Sequence, residues 1–201
     1  PNAQKMSSRK GGVISAEWLL DETKKKVLKK MKESSTVPVE NVEEVSEKIA
    51  IGAIKYAFLR VTVGSDIAFD FDKAISFDGD TGPYIQYVYS RCSSLLREFG
   101  NEGVSETHLE RCSSNPYVEN LTRQLSKGRG ALLGSVLTYS PLTLCQYLFE
   151  LSQSFNSFYQ NVRLSDMEEE ERSILLAIVR AVMNTVEYGL NLLGIEVVEK
   201  M

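Results

Sequence analysis

From Pro141 to Gly194 the apolar residues return every three or four positions, and no other feature of this chain constrains its fold as tightly. Leu144, Leu148, Leu151, Phe155, Phe158, Tyr159 and Val162 would line one face of a helix that starts at Ser140-Pro141. Ile174, Ile178, Val182, Met183, Val186, Leu190 and Leu193 would do the same for a second, opened by the capping-box pattern Ser165-Asp166-Met167-Glu168 and closed by Gly194. A helix with one long apolar face must bury it, and its neighbours here are other helices.

Upstream the same period recurs. Pro83 belongs in a helix's first turn, where its missing N–H costs nothing, and the stripe Tyr84, Val88, Cys92, Leu95, Leu96, Phe99 runs to Gly100, which sits where a left-handed C-cap would. A helix is expected over residues 42–60, with Ala50, Ala53 and Ala57 as a small-residue face for close packing. Another, capped by Ser15, is expected over 16–32 with a lysine-rich outer face. Residues 117–127 read as helical, Gly128 with Gly130 as an interruption, and 33–41 and 101–116 as polar loops. Ile67, Phe69 and Phe71 alternate with Ala68, Asp70 and Asp72, the pattern of a short extended segment, and Val13-Ile14 fits a brief strand. The expected body is an all-helical bundle of about five helices from residue 42, without internal repeats.

The balance of 43% hydrophobic and 25% charged residues is that of a folded globular protein, and 201 residues suffice for one sizeable core or two small ones. Cys92, Cys112 and Cys145 are odd in number and form no Cys-x-x-Cys pair. This points to neither a bridged framework nor a zinc motif, and to a reducing, intracellular setting. The most apolar run, Ile174 to Val179, is far shorter than the roughly 20 residues of a membrane span, so no membrane partner is expected. The chain opens on Pro1, without an initiator Met or a signal-peptide pattern, and reads as a cut or processed edge. The net charge of −4 conceals a head, residues 1–32, of local net +6 on a body of −10. That head suits a polyanion, or equally a single solvated lysine face.

Few residues suggest catalysis. The only histidine, His108, has no partner at metal-ligand spacing and is read as a surface residue; Asp70, Asp72, Asp78 and Asp80 lack the spacing of a calcium loop and read as turn and cap residues, so no metal site is expected. Two segments carry more. In Lys5-Met6-Ser7-Ser8-Arg9-Lys10-Gly11-Gly12 the cations could hold a pyrophosphate while Ser7 and the glycine backbone supply smaller donors, although a basic Ser/Gly-rich end is most often a mobile tail. In Gly79 to Arg91, Tyr84, Tyr87 and Arg91 share a helix face at i, i+3 and i+7. Two rings and a guanidinium in a row could stack an unpaired base and contact its phosphate, and they could equally form a seam between packed helices, which the residues alone favour.

These two segments, in this order and separation, resemble the carboxy-terminal third of the arginyl-tRNA synthetase family of class I aminoacyl-tRNA synthetases. Lys5-Met6-Ser7-Ser8-Arg9 looks like the family's KMSKS loop. Ala53-Ile54-Lys55-Tyr56, Phe69-Asp70-Phe71-Asp72 and GDTGPYIQY look like the junction into its anticodon-binding domain, and Phe155 to Tyr159 and Gly189 to Met201 like that domain's last two helices.

The resemblance implies a mainly α fold: a short α/β remnant of the catalytic region (loop, brief strand, helix) over residues 1–41, then a helical DALR-type anticodon-binding domain over 42–201. It implies an arginine-tRNA ligase that consumes ATP with Mg2+ and L-arginine and charges tRNA-Arg in the cytoplasm. In that family the loop closes over ATP, and Lys5, Met6 and Ser7 carry over directly. Ser8 stands where the family has a second lysine, so Arg9 or Lys10 is the candidate cation. Anticodon contacts carry over to Tyr84, Tyr87, Arg91, Asn156, Tyr159 and Met201, chemistry suited to sandwiching a splayed base and bonding its edge. The family's His-Ile-Gly-His-like motif is missing from a chain with one histidine, which implies a portion of the enzyme that binds tRNA without aminoacylating it. The alternative is a stand-alone RNA-binding module derived from the synthetase. A helical protein-interaction domain with no RNA role would instead bury the Tyr/Arg platform. A monomer is expected, with an apolar patch between Ala16 and Ala57 that could drive an artificial dimer.

Overall fold

A computed structural model describes residues 15–33, 41–100 and 115–201; Val13-Ile14, Cys112, His108 and the segment Lys5 to Gly12 lie outside the described residues. Among the described residues eight helices run in order: α1 Ala16–Glu33, α2 Val42–Leu59, α3 Phe71–Ala74, α4 Gly82–Phe99, α5 Pro116–Ser126, α6 Gly128–Thr138, α7 Leu142–Asn161 and α8 Glu169–Leu192, with a 3-10 turn at Leu164–Asp166.

The apolar stripes meet in one large core. Leu148, Leu151, Phe155 and Phe158 of α7, Ile85, Val88 and Cys92 of α4, Leu121 of α5, and Ile174, Val179, Val182, Val186 and Leu190 of α8 are all buried there. Each such side chain contributes roughly 1.5–3 kcal/mol, so α7 and α8 are held by packing more than by propensity. α8 is by length and composition apolar enough to cross a bilayer, more than the six-residue run suggests. Its apolar face lies in the core, the usual position of a core helix. A second, smaller core joins Val27 of α1, Ile49, Ala50 and Ala53 of α2, Ile75, and Val198 from the carboxy-terminal tail.

α2 lies between the two cores. At its contact with α4 the backbones nearly touch: a Cβ on Gly82 would sit 2.5 Å from the Gly52 carbonyl oxygen, and one on Gly52 would meet the Gln86 amide at 2.8 Å. After α8, Gly194 at φ 68° turns the chain, with Ile195 N–H bonding the Leu190 carbonyl and Gly194 N–H that of Asn191, both at 2.9 Å. The tail then runs along α4. Buried Gln86 donates to the Glu196 carbonyl at 2.8 Å and Ser90 to that of Glu199 at 3.0 Å.

Several expectations are corrected. No strand occurs among the described residues: residues 66–70 are irregular and Phe71 starts a one-turn helix, because Asp70 accepts hydrogen bonds from the Asp72 and Lys73 N–H groups and caps it. Gly128 and Gly130 do not interrupt the helical pattern. Residues 128–138 form α6, and the described part of the body has six long helices where about five were expected, since Gly128 lets the helix settle against the Tyr147 hydroxyl. The capping box does not form; Ser165 donates to Asp166 instead, and Glu168 precedes α8 without a side-chain cap bond. Gly100 has a positive φ of 89° but an extended ψ of −179°, so it is not the left-handed cap anticipated. Ser15 does cap α1, accepting from Trp18 N–H at 3.1 Å.

Candidate anticodon-binding face

α4 and α7 run in the same direction, since Tyr84 meets Phe149 near their starts and Arg91 meets Asn156, each pair 65 residues apart. Thr81, which accepts from Tyr84 N–H at 3.2 Å, and the first-turn Pro83 set the start of α4, and one turn on Tyr87 and Arg91 project from one edge. On α7 Phe155 and Phe158 go into the core, which turns Asn156 and Tyr159 toward α4.

Arg91 joins these groups. Its Nη1 donates to Asn156 Oδ1 at 2.6 Å and its Nη2 to the Tyr87 hydroxyl at 3.3 Å. Its guanidinium carbon lies 4.3 Å from the Tyr87 ring centre and 4.8 Å from that of Tyr159. The cation is thus held between two tyrosine rings and aimed by an amide. The group is not sealed: Arg91, Tyr87 and Asn156 are half-buried and Tyr159 is 40% exposed. A planar ligand therefore finds rings, a guanidinium and an amide edge on one open surface.

Of the residues anticipated from sequence, Tyr87, Arg91, Asn156 and Tyr159 come together. Tyr84 lies on the same α4 edge but packs on Phe149, ring centres 5.8 Å apart, and against the large core. Met201 packs against the small core. Lys5, Met6, Ser7, Arg9 and Lys10 lie outside the described residues.

Phe77 was missed. Its ring meets that of Tyr87 edge-on at 6.2 Å. The loop that carries it is fastened by Thr81 Oγ1 to the Ser76 carbonyl at 2.6 Å, and by Asp80, which accepts from the Tyr56 hydroxyl at 2.6 Å and pairs with Arg60 at 3.3 Å. A lone aromatic at the mouth of a Gly/Asp turn was the available signal. Burial and the Asp80 bond raise the Tyr56 phenol far above its ordinary value of 10.0, and Asp80 thus anchors this loop to α2, where a turn or cap role was expected. Among the described lysines of the basic head, Lys24 pairs with Glu47 at 2.7 Å and Lys26 with Asp72 at 2.8 Å, tying α1 to α2 and α3.

Aromatic rings and an oriented arginine on one open edge of a helical bundle are groups on which an unpaired base can stack. The family model described as the DALR anticodon binding domain matches residues 85–201, and that for the class I tRNA synthetase (R) catalytic domain matches residues 1–71. The chain belongs to the DALR anticodon-binding domain family, joined to a stretch of class I synthetase catalytic sequence.

Similar proteins include the "Arginine--tRNA ligase" of Clostridium acetobutylicum, 35% identical over 198 residues, a match covering 98% of this chain and 35% of that protein. The enzyme of the same name from Clostridium perfringens is 35% identical over 200 residues, covering 98% and 35%. The chain therefore spans about a third of the length of the curated relatives it matches. Among solved structures, Thermus thermophilus arginyl-tRNA synthetase superposes with a TM-score of 0.89 at 30% identity over 99% of this chain and 34% of that one. The Plasmodium falciparum enzyme, at 21% identity and a TM-score of 0.75 over 94% and 34%, shares the fold.

Proposed function

We propose that this chain reads the anticodon of tRNA-Arg and forms part of an arginine-tRNA ligase, which converts ATP, L-arginine and tRNA-Arg to arginyl-tRNA-Arg, AMP and diphosphate in the cytoplasm. The observation that carries this is the half-exposed stack of Tyr87, Arg91 and Tyr159 braced by Asn156. A protein-interaction domain with no RNA role would bury that platform.

Base recognition follows from the geometry. An unpaired base stacks on the open face of Tyr159 or enters beside Tyr87, while Arg91 and Asn156 offer a donor fork and an amide to its edge or backbone. Every arginine anticodon has cytosine at its centre, which makes that base the specificity determinant. Tyr84 and Met201 complete the proposed set, Tyr84 by extending the platform along α4 and Met201 as a thioether contact near the tail.

Lys5, Arg9 and Lys10, with the Ser7 hydroxyl, have the donor chemistry for the phosphates of Mg2+-bound ATP; Met6 lies in the same loop, and the group would act in the longer protein. Alone, this chain binds tRNA without aminoacylating it. The proposed division falls between residues 41 and 42. α2 packs on α1 on one side and on α4 on the other, so this boundary is a joint, and the catalytic-domain match extends past it to residue 71. Trp18 and Phe58, exposed and joined through Phe69 and Phe71, form an apolar patch beside it, suited to the remainder of the enzyme.

Binding of an arginine-tRNA anticodon stem-loop, with and without its central cytosine, at low and moderate salt tests this. A preference for cytosine that survives added salt is expected, because phosphate contacts alone carry no sequence information and weaken with salt. Equal, steeply salt-sensitive binding would refute anticodon recognition by this face.

A further inference from the structure

α4 and α7 lie side by side in register. Arg91 follows Tyr84 by seven residues on one helix and Asn156 follows Phe149 by seven on the other, about 10 Å along each axis. The Tyr84–Phe149 ring pair and the Arg91–Asn156 pair are therefore two rungs across one groove. At about 100° per residue, Phe149, Gln153 and Asn156 fall within about 60° of one another on α7, so Gln153 stands between the rungs, and it is exposed. Tyr84 and Phe149 are half-buried, and their planes are inclined at 57°, so neither ring covers the other's face. Among the described residues the Tyr84 hydroxyl and the Gln153 amide have no hydrogen-bond partner. The two amides of the groove thus differ. Arg91 holds Asn156 Oδ1 at 2.6 Å, which fixes that amide's orientation and leaves its NH2 as the group to offer, whereas the Gln153 amide turns over freely.

We propose, resting on the anticodon reading above, that Tyr84, Phe149 and Gln153 form a second base subsite, which holds a nucleotide flanking the central cytosine and accepts any base there. The ~10 Å between rungs is too far for one base to touch both and suits neighbouring nucleotides of one strand. Stacking on the rings is indifferent to base identity, because every base has a π-face. A rotating amide bonds the donor and acceptor of an adenine or cytosine edge in one orientation and the reversed pattern of guanine or uracil in the other. Asn156 lacks that freedom, so discrimination belongs to the Arg91 rung. Arginine anticodons have this requirement: the centre is always cytosine, while the nucleotides on both sides vary.

Equilibrium binding of the whole chain to arginine-tRNA anticodon stem-loops, with an abasic site placed in turn at the centre and on each side of it, tests this. One flanking abasic loop should bind about tenfold more weakly, while the four bases at that position bind within about threefold of one another. Phe149→Leu should also lose about tenfold and Phe149→Tyr nothing, and the Phe149→Leu loss should vanish on that flanking abasic loop. Gln153→Ala should weaken all four bases alike. The melting temperature and the preference for central cytosine should not move in these variants. If neither flanking abasic loop loses affinity, the subsite does not exist, whether or not Phe149→Leu folds. A Phe149→Leu loss that vanishes on the central abasic loop puts Phe149 at the cytosine site, and one that persists on every abasic loop makes its part structural. A preference above tenfold among flanking bases refutes tolerance. Each of these overturns the proposal while the cytosine preference, and with it the anticodon reading, stands. A chain indifferent to the central base fails that reading itself, and the second subsite falls with it.

Discussion

At the residue scale, the Arg91 guanidinium occupies the space between Tyr87 and Tyr159 that a stacked base would otherwise fill. A base bound at the proposed site must therefore use the outer face of Tyr159 or shift the guanidinium toward Asn156. Tyr159→Ala should cost about 1–3 kcal/mol of stem-loop affinity, roughly tenfold to a hundredfold by titration, with little change in melting temperature because the ring is 40% exposed. Tyr56 makes a different prediction. Its phenol is raised above 10.0 by burial and the Asp80 bond, and burial lifts the Cys145 thiol from 9.0 to about 12. Both groups hold their protons more tightly folded than unfolded, so the stability they contribute is complete below about pH 9 and is lost as pH rises beyond it. Thermal melts should drop steeply above pH 10, and less steeply in Tyr56→Phe, which should also lose about 1–2 kcal/mol at neutral pH for the O–H donation that Asp80 and the Cys145 carbonyl share. The spacing of Tyr87 and Arg91 was legible in the sequence, because a helix places i and i+4 side by side. The contribution of Phe77 was not, because a loop's reach depends on where Asp80 anchors it.

At the element scale, two glycines at the ends or in the interior of helices have opposite roles. Gly82 begins α4 against the α2 backbone, so Gly82→Ala should destabilise by about 1–3 kcal/mol or more, seen as a lower urea midpoint. Gly130 faces open space on α6, and Gly130→Ala should stabilise by about 0.5–1 kcal/mol in the same assay. Composition treats the two alike. It also hid α6, because glycine lowers helix propensity while the Tyr147 contact that offsets this lies in another helix. The alternation at residues 67–72 misled in the same way: the aromatics do share a side, but they pack as a string from Phe58 through Phe69 and Phe71 to Trp18, with ring centres 5.2 to 6.0 Å apart.

Across the whole molecule, the carboxy-terminal tail links the two cores. Ile195 enters the large one and Val198 the small one, while Gln86 and Ser90 hold the tail to α4 at the Glu196 and Glu199 carbonyls. The tail therefore couples α1 and α2 to the helix that carries Arg91. Val198→Ala should cost about 1–2 kcal/mol, and hydrogen exchange should show the loss chiefly as faster exchange in α1, whose apolar anchor is Val27, with α7 and α8 unaffected.

The sequence by itself determined the helices with a long one-sided apolar stripe, the turn chemistry at Thr81-Gly82-Pro83 and Gly194, and the pairing of Tyr87 with Arg91, because each depends on residues within one or two helical turns. The tertiary structure alone decided which helices lie parallel, that Asn156 and Tyr159 close on Arg91 while Tyr84 packs on Phe149, and that the last residues fill a core with α1. Those outcomes depend on contacts 65 to 110 residues apart, where the shape of two packed surfaces, and not local periodicity, selects the partner.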